Sequence, residues 1–155
     1  MQTIERLSKD KIGSEPIIQT VADIETLVQP QDAWSYQIIS DLLKQDSIEL
    51  LVVYQDDKII GYCLYQVMFE QAEILRIGTH PDYQRQGIAS KLFIELHRML
   101  QDQKVESLLL EVRADNAPAI KLYEQQNFTV IHQRCDYYKQ PNKLAVDALI
   151  MQHTY

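Results

Sequence analysis

The sequence predicts an α+β (mixed α/β) domain: one mixed, largely antiparallel twisted sheet with a parallel central pair, and helices on both faces. Three observations carry this. Segments 48–54, 59–69 and 72–79 are β-patterned and follow one another across short turns, which makes an antiparallel meander. Segment 72–79 then leads through a polar loop into an amphipathic helical stretch and a further strand at 105–113, the order of a right-handed crossover between parallel neighbours. The middle of that strand, Leu108-Leu109-Leu110, is continuously apolar, as in strands covered on both faces.

Taken in order, 3–7 alternates weakly and reads as an edge strand. Residues 9–16 are polar, and Gly13 and Pro16 are expected to break any element there. Ile17, Val21, Ile24 and Val28 have helical spacing, and Gln29-Pro30-Gln31 stops that helix. A second helix is expected from Asp32, a plausible N-cap, to Lys44, with Ile38, Leu42 and Leu43 inward. Trp34 lies near its start, where it either packs or lines a pocket. After the meander, Ala89, Leu92, Phe93, Leu96 and Leu100 form the apolar stripe of a helix from Ile88 to about Gln101. Asn116 caps the next helix, with Pro118 in its first turn. Asn127 suits the left-handed residue that closes it. Segments 128–133 and 147–153 read as a closing strand pair, with a polar, tyrosine-bearing loop at 135–143 between them.

The chain of 155 residues is long enough for one domain, 1–155, with about two thirds of its unfolded surface buried. Its 46% apolar and 24% charged residues are ordinary for a globular protein. The first ten residues alternate charged and apolar types, unlike a secretory leader, and no apolar run approaches membrane-spanning length. Cys63 and Cys135 make neither a disulfide framework nor a metal spacing, and the four histidines are scattered, so no metal site is expected. The net charge of -7 argues against nucleic acid as the direct partner and suits a cationic acceptor such as an amine or a basic peptide.

The chemistry concentrates in two stretches. His80-Pro81-Asp82-Tyr83-Gln84-Arg85-Gln86-Gly87-Ile88-Ala89-Ser90 joins a strand to a helix N-terminus. Free N–H groups and the positive end of the helix dipole there make an anion site, most naturally for phosphate. Neither a Walker ending nor a three-glycine dinucleotide fingerprint is present, and an ordinary strand–helix turn is the alternative. The second stretch begins with Glu111, a carboxylate near the C-terminal end of an apolar strand, where open sheets place ligands. Alternation puts it on one face with Leu109 and Arg113, so a Glu111–Arg113 ion pair at the sheet rim competes with a catalytic role. Tyr123 follows on the next helix. Its packing alternative is specific, because the residue at that place before a left-handed Asn127 meets Phe128, and a buried tyrosine can pack while its hydroxyl serves a polar partner.

Gln84-x-x-Gly87-x-Ala89 resembles the pyrophosphate loop of the GNAT superfamily of acetyl-CoA-dependent N-acetyltransferases. The run from Leu110-Glu111-Val112-Arg113 through Asn116 to Leu122-Tyr123-Glu124, with Asn127-Phe128 after it, is similar to the second block of one branch, the bacterial ribosomal-protein-alanine N-acetyltransferases. Asp82–Gly87 and Asp147–Met151 also fit that branch, and the likeness covers about residues 50 to 151. The resemblance implies a GNAT-like sheet whose parallel pair splays around the cofactor. It implies that the backbone of Ile77, Gly78 and Thr79 runs beside the pantetheine arm, and that Gln84, Arg85, Gln86, Gly87, Ile88, Ala89 and Ser90 hold the pyrophosphate. Asn116 is then expected near the sulfur, Glu111 as general base and Tyr123 as general acid. Trp34 with Ser35, and the pair Tyr137-Tyr138, resemble residues that shape the acceptor pocket.

Those residue types suit the chemistry. An α-amine, with a pKa of about 7.7–8.0, must lose a proton before it attacks a thioester. A backbone N–H from the 77–79 strand can stabilise the oxyanion. The departing thiolate, with a conjugate acid near about 8.5, can be protonated by a phenol near about 10. No covalent enzyme intermediate is needed, so neither cysteine is expected to be a nucleophile. The pattern thins on the acceptor side: the branch follows the tyrosine pair with proline and later has Gly-Arg-Glu-Asp-Ala. Here Lys139 follows, and Lys143-Leu144-Ala145-Val146 precedes Asp147-Ala148. The expectation is a cytoplasmic acetyl-CoA-dependent enzyme, monomer or weak dimer, without metal or membrane partner. Its expected acceptor is the N-terminal alanine of a basic protein, a small-subunit ribosomal protein; a small-amine acetyltransferase and a non-catalytic CoA-binding domain are the alternatives.

Overall fold

The chain alternates sheet and helix so that seven strands form one sheet with helices on both sides. The computed structural model describes residues 1–14 and 16–155. The elements are β1 (Gln2–Arg6), α1 (Lys9–Ser14), α2 (Ile17–Val28), α3 (Tyr36–Leu43), β2 (Ile48–Gln55), β3 (Lys58–Met68), β4 (Gln71–Thr79), α4 (Ile88–Asp102), β5 (Ser107–Arg113), α5 (Ala117–Gln125), β6 (Thr129–Tyr138) and β7 (Val146–Thr154). The strand order is β1-β2-β3-β4-β5-β7-β6, and every neighbouring pair is antiparallel except β4 and β5.

Alternation along the central strands builds two cores. Leu51, Val53 and Cys63 face α4 and α5, where they meet Leu92, Phe93, Leu96 and Tyr123. Leu50, Val52, Tyr62 and Leu64 face the other way, onto Val21, Ile24, Ile39 and Leu43 of α2 and α3. The parallel pair is brief. Gln71–Glu73 register with Ser107–Leu109, and beyond them the two strands part. The cause lies in β4: Leu64 pairs with Arg76 and Tyr65 with Ile74, so Leu75 is an extra residue, a bulge that bends the strand. One edge of Ile74–Thr79 is thereby left without a strand partner, while β5 continues on β7 alone.

Several expectations need correction. Residues 9–14 are helical despite Gly13, because tertiary contacts outweigh local propensity. Ser8 Oγ accepts from Lys11 N at 3.2 Å, Ile12 is buried, and Lys9 Nζ donates to the carbonyls of Leu43 (2.9 Å) and Gln45 (3.1 Å). Helix α3 starts at Tyr36, capped by Ser35, whose Oγ accepts from Ile38 N at 3.3 Å; Asp32 is engaged elsewhere. The inward face of α3 is Ile39 and Leu43, while Ile38, expected inward, is 45% exposed. Leu109 is only partly buried although Leu108 and Leu110 are covered. Strand β6 runs on to Tyr138, so the tyrosine pair belongs to a strand end; Asp147 carries it past an irregularity by accepting from Asp136 N at 2.8 Å and Gln133 Nε2 at 2.5 Å. The closure of α5 is as expected. Asn127 has φ 65°, and the N–H groups of Phe128 and Asn127 donate to the carbonyls of Tyr123 and Glu124, both at 3.0 Å.

Candidate active site

Where β4 and β5 part, a cleft of about 1150 Å³ opens, walled by the bare edge of β4, the start of α4, the end of β5 and one face of α5. Ile77, Gly78 and Thr79 line it. Gly78 is needed there for space: a Cβ would lie 2.7 Å from the Tyr62 hydroxyl and 2.9 Å from its ring. An unpaired strand edge offers N–H and C=O groups to any extended amide-bearing ligand.

At one end of the cleft the loop before α4 is shaped by two left-handed residues, Arg85 (φ 62°) and Gly87 (φ 77°). Such a turn gathers successive N–H groups into a concavity that receives anions. Gly87 is the N-cap of α4 and no side chain caps that end, so the first N–H groups of the helix stay open toward the cleft. A Cβ at Gly87 would meet nothing within 4 Å, which leaves open space in front of the amides. Gln84 Nε2 ties the loop to the strand by donating to Thr79 O at 3.2 Å. Gln84, Arg85, Gly87, Ile88, Ala89 and Ser90 all line the cleft; Gln86 does not.

Glu111 and Tyr123, distant in sequence, line the same cleft. Glu111 accepts from the Tyr138 hydroxyl at 3.2 Å, and Arg134 stands 3.8 Å from its other oxygen. The Glu111–Arg113 pair does not form: Arg113 turns to Asp115, with contacts of 3.0 and 3.1 Å, and lies over the Tyr138 ring at 5.1 Å. Tyr123 packs as its position requires, with ring centroids 5.9 Å from Phe93 and 6.1 Å from Phe128. Burial, and then the nearby Cys63, push its phenol up to about 12, above the value near 10 expected of an ordinary tyrosine. Burial and the charge of Glu111 likewise raise Tyr138, so both phenols stay protonated at neutral pH. Asn116 also lines the cleft, its Oδ1 accepting from Ala119 N at 3.3 Å. Tyr138 is part of the wall; Tyr137 sits half-exposed beside it, and Trp34 lies behind the wall, covered by Arg76.

Sequence reasoning missed Glu25, Arg76, Glu73 and Arg134. The first two had a signal: a carboxylate beside the apolar stripe of α2, and one cation within Ile74-Leu75-Arg76-Ile77. Glu73 had less. It lies in register with Leu109, and burial and the charge of Glu111 raise its carboxyl while Arg134 opposes them. Among the described residues no cluster of three metal-ligating side chains occurs, and no helix is long and apolar enough to cross a membrane.

A splayed parallel pair, a bare strand edge and an uncapped helix start thus share one cleft with a carboxylate and a phenol. Residues 16–128 match the model of the Acetyltransferase (GNAT) family, and the chain belongs to that family. It is 35% identical over 97 residues to the [Ribosomal protein bS18]-alanine N-acetyltransferase of Haemophilus ducreyi, covering 63% of this chain and 67% of that protein. It is 39% identical over 97 residues to the protein of that name from Escherichia coli strain K12, covering 63% and 65%. The matched stretch thus spans about two thirds of those curated relatives or slightly less. The crystal structure of the ribosomal-protein-S18-alanine N-acetyltransferase from Escherichia coli superposes with a TM-score of 0.87 at 30% identity, over 99% of this chain and 94% of that one. A GNAT family acetyltransferase from Elizabethkingia anophelis with acetyl-CoA bound shares the fold, with a TM-score of 0.78 at 19% identity over 99% and 98% of the two chains.

Proposed function

We propose that this protein transfers acetyl from acetyl-CoA to the N-terminal alanine amine of a basic protein, a small-subunit ribosomal protein. The observation that carries the reading is that Glu111 and Tyr123 line one cleft with the Gly87 loop and the bare edge of β4. The amides of residues 87–90 and the Arg85 charge hold the diphosphate of the cofactor, which supplies an activated thioester when bound. The β4 edge orients the adjoining amide-bearing arm. Glu111, direct or through one water, takes the proton that the acceptor ammonium must lose before attack. A backbone N–H of 77–79 stabilises the developing oxyanion. Tyr123, protonated at every physiological pH, is the acid that returns a proton to the departing thiolate.

The acceptor follows from relatives whose names specify it. A mass-spectrometric assay on a short basic peptide beginning with alanine, beside polyamines and aminoglycosides, tests it. Acetylation of the peptide α-amine is expected. Turnover of the small amines alone would replace this reading with the small-molecule one, and CoA binding without any turnover would make the domain non-catalytic.

A further inference from the structure

Arg76 is a charged, part-buried residue of β4; one neighbouring segment engages both terminal nitrogens of its guanidinium, while its buried Nε makes no hydrogen bond. Nη1 donates to Gln29 Oε1 at 3.0 Å, and Nη2 to the Asp32 carbonyl at 2.6 Å. The Asp32 carboxylate stands 3.7 Å from Nη1, and the plane of the group covers the Trp34 ring at 4.4 Å. Nε faces Glu25 Oε2 at 3.4 Å. Glu25 is completely buried, and it grips the same segment by accepting from Trp34 N (2.9 Å) and Gln29 Nε2 (3.1 Å) while Tyr62 donates to it at 2.5 Å. The segment 29–35 has no regular structure of its own, yet Gln29, Gln31 and Asp32 form one side of the cleft. Asp32 is close enough for its charge to act on Arg113 and on the Tyr138 hydroxyl.

We infer that Arg76 is a positioning residue for the acceptor: with Glu25 it locks residues 29–35 as the acceptor-side wall facing Glu111. This rests on the reading of the cleft given above. Arg76 belongs to the β4 edge by its main chain, but its side-chain contacts run to Glu25 and to 29–35, so its removal should fall on the acceptor side first. A planar fork stacked on an indole and hydrogen-bonded at both ends is a role lysine does not reproduce.

Trp34 is the single tryptophan of the chain, so its fluorescence reports the clamp without reference to any acceptor. Arg76→Met is compared with Glu25→Gln/Arg76→Met, because the single change strands a buried carboxylate and can unfold the protein by itself. Expected in both variants are a red-shifted Trp34 emission, faster acrylamide quenching, and an acceptor KM raised about ten-fold. Acetyl-CoA affinity should stay within about two-fold, and kcat should fall much less than KM rises. The inference is overturned if acceptor KM is unchanged, if the double variant restores it, or if acetyl-CoA affinity weakens by the same factor. The KM comparison is run on the alanine peptide and on spermidine. If wild-type protein turns over only spermidine, the protein-acceptor reading fails while spermidine KM still decides the clamp; with neither turned over, unchanged Trp34 quenching overturns it.

Discussion

The two arms of the cleft are made of different material. On the β4–α4 arm the cleft is walled largely by main chain, the bare edge of Ile74–Thr79 and the open amides after Gly87, with the Arg85 charge beside them. On the β5–α5–β6 arm it is walled by side chains, Glu111, Tyr123 and Tyr138, with Arg134 behind Glu111. A main-chain site tolerates most side-chain changes and fails when its dihedral angles fail. A side-chain site keeps its shape through single substitutions and fails when one functional group goes. Binding and turnover should therefore separate cleanly by arm.

The largest effect tests that separation directly. Glu111→Gln and Tyr123→Phe should each lower kcat by about 10²–10⁴-fold, the range of one acid–base group. Acetyl-CoA affinity measured by calorimetry should not move. If both variants keep full rate with the true acceptor, the acid–base assignment is wrong. Because Tyr123 is pushed up to about 12, wild-type kcat should show no alkaline fall up to about pH 10; a descending limb near pH 9 would point to another acid.

The converse comes next in size. Gly87→Val places a β-branched residue at φ 77°, where even an ordinary side chain costs about 1–2 kcal/mol. Acetyl-CoA Kd should rise at least about ten-fold, while the pH dependence of turnover at saturating cofactor stays that of wild type. A changed pH profile would mean the two arms are not independent.

Gly78 sits where the arms share a support. Alanine there would press on the buried Tyr62, whose hydroxyl holds Glu25, so both the β4 edge and the acceptor-side segment should shift. Overpacking of this kind costs about 1–3 kcal/mol, and at this chain length each kcal/mol moves Tm by about 2–4 °C. The expected result is a lowered melting temperature with both KM values raised. A rise in one alone would show that Tyr62 yields without disturbing Glu25.

Legibility divided along the same line. The main-chain arm announced itself because its demands are local: a glycine at a left-handed turn, small residues after it, a helix starting at once. The crossover and the Asn127 closure of α5 were readable for the same reason, since capping chemistry lies within a few residues. What could not be read was contact across the sheet. Residues 9–14 looked broken because Gly13 and Pro16 outweighed a helix whose support comes from Leu43 and Gln45, some thirty positions away. The start of α3 lies three residues beyond the expected one: Asp32 and Ser35 are both good caps, and in the fold Ser35 caps while the Asp32 carbonyl and carboxylate face Arg76. Glu111 and Tyr123 were legible as types, but their meeting in one cleft depends on the bulge at Leu75, which no local pattern marks.

The smallest effect concerns the packing behind both arms. His97 of α4 lies between His153, with ring centroids 4.5 Å apart, and Phe128, at 6.3 Å, and its Nδ1 meets the Tyr155 hydroxyl at 2.5 Å. Phe128 in turn packs on Tyr123. Burial, and then the charge of His153, lower His97 to about 4, against about 6.5 for a free histidine. The unfolded chain therefore takes up the proton first as pH falls. The stability from this group is complete above about pH 6.5 and is lost progressively down to about pH 4. Urea midpoints for wild type and His97→Gln should accordingly converge across that window, with the variant less stable at pH 7 and the gap narrowing toward pH 4. Midpoint curves that run parallel would show that His97 does not titrate with unfolding.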